Sequence, residues 1–305
     1  MVLTQRCAVG IDVGGTNIHG GLVDGTGRLL TSARQPTPVA LGPAGVMGAM
    51  KDMIRELLSK AGGREVVGIG LGMPGLIDRA RGVSVFSANT KWVNVPVLWE
   101  FTEFDLPVDM DNDVRCHTVG ELKFGAGRGY SNFILVTLGT GIGSGIVLDG
   151  QLYRGPTGVA GEIGHMTLEP GGPQCGCGKR GCFEAVASGR NIGRRAIEAG
   201  VAGSSRELFQ KAAQGDMKAV QLVDRVAYDL GRGLSIYAHL MNPQRIIVGG
   251  GVAQAGEILF RPLRKYADQE TMPGVRGTYD IVPAVFGDDA GVVGSAALIP
   301  ALTEV

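Results

Sequence analysis

Two short stretches of this chain follow one plan, and that repetition limits the fold more than any other feature. Cys7-Ala8-Val9-Gly10-Ile11-Asp12-Val13 reads as a strand, Gly14-Gly15-Thr16-Asn17 as a glycine turn, and Ile18 onward as a second strand closed by Asp24-Gly25. About 126 residues further on, Phe133-Ile134-Leu135-Val136-Thr137-Leu138 runs into Gly139-Thr140-Gly141-Ile142-Gly143-Ser144-Gly145, then Ile146-Val147-Leu148 and Asp149-Gly150. Asp-Gly is a hairpin-turn pair, because both residues tolerate positive φ. Two units of this kind predict an internally duplicated architecture. Between them, Val46, Met50, Met53, Ile54, Leu57 and Leu58 share one helical face, and Val66–Leu71 reads as a buried strand. Later, Val220 to Ala238 outlines a long helix that stops before Asn242-Pro243, and Arg245–Val248 is a strand. Strands alternating with helices give an α/β protein, and the hairpins make its sheets mixed. A chain of 305 residues suits roughly two domains. Pattern alone puts the division near residue 118, with domains at 1–118 and 119–288.

Each glycine turn exposes backbone N–H groups with no Cβ beside them, a concave nest for phosphate oxygens. In the first, Gly14 and Gly15 are joined by the side-chain donors Thr16 and Asn17, and Asp12 is placed to orient hydrated Mg²⁺. In the second, Gly139, Gly141 and Gly143 surround Thr140. A third cluster, Gly249-Gly250-Gly251, follows the strand at 245–248. Neither turn is a Walker loop, since no Lys follows the glycines, and neither is a Rossmann turn, since a strand replaces the helix. Together they predict a nucleotide held between two domains, with Gly250 and Gly251 contributing.

His165, Cys175, Cys177 and Cys182 lie in one short thread, the last three inside C-G-C-G-K-R-G-C. Three thiolates and one imidazole complete a tetrahedral Zn²⁺ shell with no vacancy, which suits a structural rather than a Lewis-acid role. Three of the five cysteines fall within eight residues, so the cluster is not an accident of composition. An odd cysteine count clustered in this way predicts reduced thiols and a cytoplasmic location. Lys+Arg and Asp+Glu both number 29, so no polyanionic partner such as nucleic acid is indicated. No apolar run approaches the ~20 residues a bilayer requires, and no N-terminal export signal is apparent.

The ordered set Gly10–Asn17, Gly72-Met73-Pro74-Gly75, Asn112-Asp113, Leu138–Gly145, Gly161–His165, Cys175–Glu184, Asn242–Gly251 and Gly287–Gly291 resembles the ROK family of sugar kinases. Within that family, Ser87-Ala88-Asn89 with Trp92 and Val95-Pro96 is most similar to bacterial ATP-dependent glucokinases. The resemblance implies an actin/hexokinase-like (ribonuclease H-like) duplicated fold, two domains flanking an active-site cleft, and a C-terminal segment, about 289–305, returning to the first domain. It implies ATP-dependent phosphorylation of a hexose 6-hydroxyl, most simply of glucose, with Asp113 as general base. It also implies sugar-hydroxyl contacts from Glu162, His165 and Glu184, with Asn112 and Asn89 as further partners. His165 would then serve zinc with one ring nitrogen and the sugar with the other. A homodimer or higher homo-oligomer follows from kinship as well.

One segment departs from the family pattern. The small, alanine-rich run expected after Asn112-Asp113 is here Val114-Arg115-Cys116-His117. Alternatives within the family are N-acetylglucosamine, N-acetylmannosamine, fructose or mannose as acceptor, and polyphosphate as donor. A sugar-responsive ROK regulator is expected to need a DNA-binding domain ahead of Cys7, for which the chain shows no room. An actin-like ATPase without a sugar would have no use for Glu162, Glu184 and the zinc loop.

Overall fold

The computed structural model describes residues 5–303; the outermost residues of the expected domain ranges, 1–4 and 304–305, lie outside them. The chain forms two compact units: Met1–Arg128 with Arg154–Ala160 and Asp288–Val305, and Gly129–Tyr153 with Gly161–Gly287.

The first unit opens with β1 (Arg6–Val13), β2 (Asn17–Asp24) and β3 (Leu29–Pro36), followed by helix α1 (Gly42–Ser59). Next come β4 (Glu65–Met73), a small sheet of β5 (Leu76–Asp78), β6 (Val83–Ser87) and β7 (Trp92–Pro96), then β8 (Val108–Asn112) and α2 (Asp113–Phe124). Its main sheet has the order β3-β2-β1-β4-β8, antiparallel through the hairpins and parallel from β1 to β4 to β8. The helical periodicity read from sequence is the face α1 buries: Val46, Met50, Met53, Ile54 and Leu57 join Ile11, Leu22 and Ile69 in one core. Truncating a side chain such as Leu57 to Ala should cost about 2–5 kcal/mol.

The second unit contains β9 (Phe133–Leu138), β10 (Ile142–Leu148), β11 (Gln151–Tyr153), α3 (Phe183–Ala187), α4 (Gly189–Glu198), α5 (Ser205–Ala213) and α6 (Met217–Met241). It ends with β12 (Arg245–Gly249), α7 (Glu257–Gln269) and β13 (Asp280–Pro283). Its sheet runs β11-β10-β9-β12-β13, with the same sequence of antiparallel and parallel pairings as the first. Asp149 and Gly150 both take positive φ (50° and 75°), the turn geometry their identities favour between β10 and β11. Helix α6 starts at Asp216, whose carboxylate caps Lys218 and Ala219, and stops at Asn242 in the left-handed region.

The last helix, α8 (Ala290–Ala296), belongs to the first unit and packs on β1, β4 and α2. That contact is backbone to backbone. A methyl group at Gly10 would lie 2.0 Å from the Val292 carbonyl oxygen, and one at Gly70 1.7 Å from that of Ser295. Only glycine permits such an approach. A division at residue 118 would cut α2, which is continuous; the first unit instead runs to Arg128 and takes in Arg154–Ala160 as well. No helix among the described residues is long and apolar enough to cross a membrane.

Candidate functional site

In the first unit, the turn between β1 and β2 is closed by the Gly14 amide donating to the Asn17 carbonyl at 2.8 Å. It is braced by the Thr37 hydroxyl, which donates to the Gly14 carbonyl at 2.7 Å. Thr16 and Asn17 are exposed, and Gly15 lies against Asn89, whose Cβ would be 3.1 Å from any Cβ added there. Asp12 is the penultimate residue of β1, opposite Gly72, and its carboxylate fills the space that a side chain at Gly291 would need. Burial, and then the nearby Asp113 charge, push the Asp12 carboxyl up to about 7 against the opposing pull of Arg34. Two neighbouring carboxylates that repel each other are a donor set suited to a hard divalent cation such as Mg²⁺.

Strand β8 hands over to α2 at Asn112, which is the helix N-cap. Its side-chain oxygen accepts the amides of Val114 and Arg115 at 3.0 and 3.3 Å. Its amide nitrogen donates to the Gly75 carbonyl at 3.1 Å and to Asp113 Oδ1 at 2.8 Å. Both donors and both acceptor positions of Asn112 are therefore engaged inside the protein. A sugar contact from this residue would require one of those bonds to be exchanged. Asp113 is the first residue of α2 rather than its cap. Its Oδ1 is held by Asn112 and by the Val114 amide at 2.9 Å, and the helix dipole favours its ionised form.

In the second unit, the turn at Gly139–Gly141 is closed by the Gly139 amide on the Gly141 carbonyl at 3.0 Å. Gly189 donates its amide to the Gly139 carbonyl at 2.8 Å, and Gly250 lies against the Leu138 backbone. Gly143 falls outside the turn: it is a β10 residue paired with Thr137, so it belongs to the ladder and not to the nest. Thr140 is exposed on a cavity of about 940 Å³ lined also by Arg190, Arg206, Phe209, Gly251 and Gln254. That volume is at the upper end of small-molecule sites. Its charged lining residues, Arg190 and Arg206, are both cationic. These side chains were not singled out from sequence. Ser204-x-x-Glu207, in which Ser204 caps the Glu207 amide at 3.1 Å, was the legible sign of the helix presenting Arg206 and Phe209.

Glu184 follows Cys182 on α3. Its Oε2 accepts the Ile142 amide at 3.0 Å, and its Oε1 lies 3.9 Å from Cys175 Sγ. It thus ties the glycine turn to the cysteine loop. Glu162 is exposed, and its carbonyl accepts the His165 amide at 3.2 Å.

The ligand atoms of His165, Cys175, Cys177 and Cys182 all lie within 4.8 Å of one another. His165 Nδ1 is 3.6 Å from Cys175 Sγ, and the sulfurs of Cys177 and Cys182 are 3.6 Å apart. Zinc with sulfur at about 2.3 Å and nitrogen at about 2.0–2.1 Å has tetrahedral edges of about 3.5–3.8 Å, so the four groups fit that ion. All five cysteines are free thiols. The Lys179 amide lowers the Cys177 thiol pKa, whereas burial and the neighbouring thiols push Cys182 up to about 12. Uncompensated, these thiols resist sharing a negative charge; a cation removes the conflict.

The sequence model of the ROK family matches residues 8–301. The chain belongs to the ROK family. It is 40% identical to the glucokinase of Thermotoga maritima, over 95% of this chain and 96% of that protein. The ROK glucokinase of Streptomyces griseus, solved in complex with glucose and AMPPNP, superposes with a TM-score of 0.84 at 34% identity, covering 96% of this chain and 99% of that one. A ROK transcriptional regulator homologous to the E. coli MLC protein superposes at 0.88 with 26% identity, over 99% of this chain and 79% of the regulator. The fold is therefore that of the ROK sugar kinases, an α/β architecture with mixed sheets.

Proposed function

We propose that this hexose kinase transfers the terminal phosphoryl group of ATP to the 6-hydroxyl of glucose, with Asp113 as the general base. The observation that carries the reading is the corner at Asn112-Asp113. The capping role is filled by Asn112, so Asp113 is not needed for it, and its carboxylate is fixed in orientation by two donors to one oxygen. In the reaction the O6–P bond forms as the bond from phosphorus to the bridging β-oxygen breaks. ADP leaves, and the hydroxyl proton passes to the Asp113 carboxylate. Phosphoryl transfer is chiefly a matter of positioning and charge neutralisation, so a held carboxylate at this position suffices for the proton. The relatives named glucokinase, at 35–40% identity across almost the whole chain, support glucose as acceptor.

On the donor side, the turns at Gly14–Thr16 and Gly139–Gly141 cradle phosphate oxygens, Asp12 orients the Mg²⁺ that accompanies ATP, and the cavity beside Thr140 takes base and ribose. On the acceptor side, Glu162, Glu184 and the Nε2 of His165 read sugar hydroxyls, with Asn89 as a further partner. Zinc, when bound, fixes the His165 ring through Nδ1 and stiffens the loop from His165 to Cys182.

A panel of glucose, mannose, fructose, N-acetylglucosamine and N-acetylmannosamine, each with ATP or polyphosphate, tests the reading. Glucose with ATP is expected to give the highest kcat/KM. A larger value for another sugar or donor would replace the substrate assigned here. Sugar binding without phosphoryl transfer would favour the regulator reading, which the MLC-like structure keeps in view.

A further inference from the structure

Phosphoryl transfer by itself gives no reason for Arg115, in the run that departs from the family pattern. Its side chain is only 5% exposed, and a buried guanidinium is costly unless its donors are directed at acceptors. One of its terminal nitrogens, Nη1, lies 3.6 Å from Asp111 Oδ1, and the other, Nη2, donates to the Ala160 carbonyl at 3.2 Å. The Asp111 carboxylate, 1% exposed, also accepts Arg154 Nε at 2.7 Å and the Asn112 amide at 2.8 Å. Arg154 and Ala160 are the two ends of the short segment by which the chain leaves the second unit and rejoins the first. The Ala160 amide closes that segment on the Arg154 carbonyl at 3.0 Å. One buried carboxylate and one buried guanidinium therefore fasten both ends of the loop to the corner that carries Asp113. Packed apolar side chains often stabilise as well as a buried ion pair. What they lack is a directed bond to each end of the loop.

We propose that Arg115 and Arg154 are positioning residues for the kinase reaction. Through Asp111 and the Ala160 carbonyl they fix the point from which the chain continues into Gly161-Glu162, and they fix it to the strand–helix corner bearing Asp113. The proposal rests on the roles given above to Asp113 and Glu162. It also accounts for an arginine in a run that is otherwise small in the family.

The test is Arg115→Met in the full chain. Glucose KM is expected to rise by about tenfold, less than the roughly 10²-fold that a 1 Å misplacement of a positioned group can cost, while ATP KM stays at the wild-type value. Amide exchange in Arg154–Ala160 is expected to quicken. Arg115→Lys, which reaches one acceptor but not both, should recover part of the glucose KM. Arg79→Met breaks the neighbouring Arg79–Asp109 pair without touching the loop and should leave both KM values unchanged. Should Arg115→Met fail to fold, Arg154→Gln removes the half-exposed partner alone and is read in the same way. A glucose KM equal to wild type, or glucose and ATP KM rising together with exchange in 154–160 unaltered, overturns the proposal. A wild-type protein that does not phosphorylate glucose overturns the function assigned above instead, and the exchange measurement still decides whether the loop is clamped.

Discussion

The two glycine-turn hairpins share a topology and differ in charge. Two residues before the first turn glycine stands Asp12 in one unit and Thr137 in the other. Asp12 sits near a second carboxylate and is pushed up to about 7, whereas Thr137 is a neutral ladder residue whose hydroxyl faces the Gly143 carbonyl at 3.5 Å. Around the first turn are Asp12, Asp113 and Asn89; around the second are Glu184, Gly189 and a cavity whose charged residues are arginines. The comparison teaches that one backbone plan, repeated in the two units, carries different side chains around each turn. On the reading proposed here, the first hairpin handles proton and metal charge and the second holds the nucleotide.

The sharpest way to break that division of tasks is Asp113→Asn. Losing a general base should reduce kcat by about 10²–10⁴-fold, with glucose binding still measurable by calorimetry. Turnover near wild type would remove Asp113 from the mechanism. Next in size is Cys177→Ser. Elemental analysis should show zinc lost, and glucose affinity should fall by about 10–100-fold as the loop presenting His165 loosens; full metal occupancy in that variant would refute the four-ligand site.

The second hairpin is probed by Arg206→Ala and Arg190→Ala, each expected to raise ATP KM by about tenfold, roughly the 1–3 kcal/mol of a charge-assisted contact. Glucose KM should not move. An equal effect on both substrates would show that the cavity does not belong to the donor alone.

The smallest effect concerns pH. The Asp12 carboxyl titrates near 7 in the folded chain, against a usual value of 3.8. From about pH 4 to about pH 7 the folded state therefore binds more protons than the unfolded one, so stability falls as pH rises through that window. Ligand-free wild type should lose several degrees of Tm between about pH 5 and pH 7. Asp12→Asn should flatten the slope. A parallel slope in the variant would show that the charge pair at the first hairpin is not strained.

Much of this was legible in the chain. The turn after β10 announced itself through Asp149-Gly150 and the His/Cys cluster through spacing, because turn chemistry and ligand spacing are local; the turn after β2 instead takes its positive φ at Gly27, not at Asp24-Gly25. The repeated sheet order confirms the duplication that two short segments suggested. What escaped was tertiary. Gly10 and Gly70 read in sequence only as strand residues, yet they, with Gly294 on α8 itself, are the points at which α8 meets β1, β4 and α2. The boundary placed at 118 missed the continuity of α2 because no linker composition marks either end of it. Asn112 and Asp113 are adjacent and similar, and only the cap geometry separates the residue that holds the corner from the one held by it. Arg115 and Arg154 pair across a sequence gap that no local pattern spans.

The most direct test of the central claim is to incubate the protein with glucose and Mg·ATP and follow the products by phosphorus NMR. Glucose 6-phosphate and ADP should appear in equal amounts, and neither should form when glucose is left out. Phosphate attached at another sugar carbon, or ADP released at the same rate without sugar, would contradict the account.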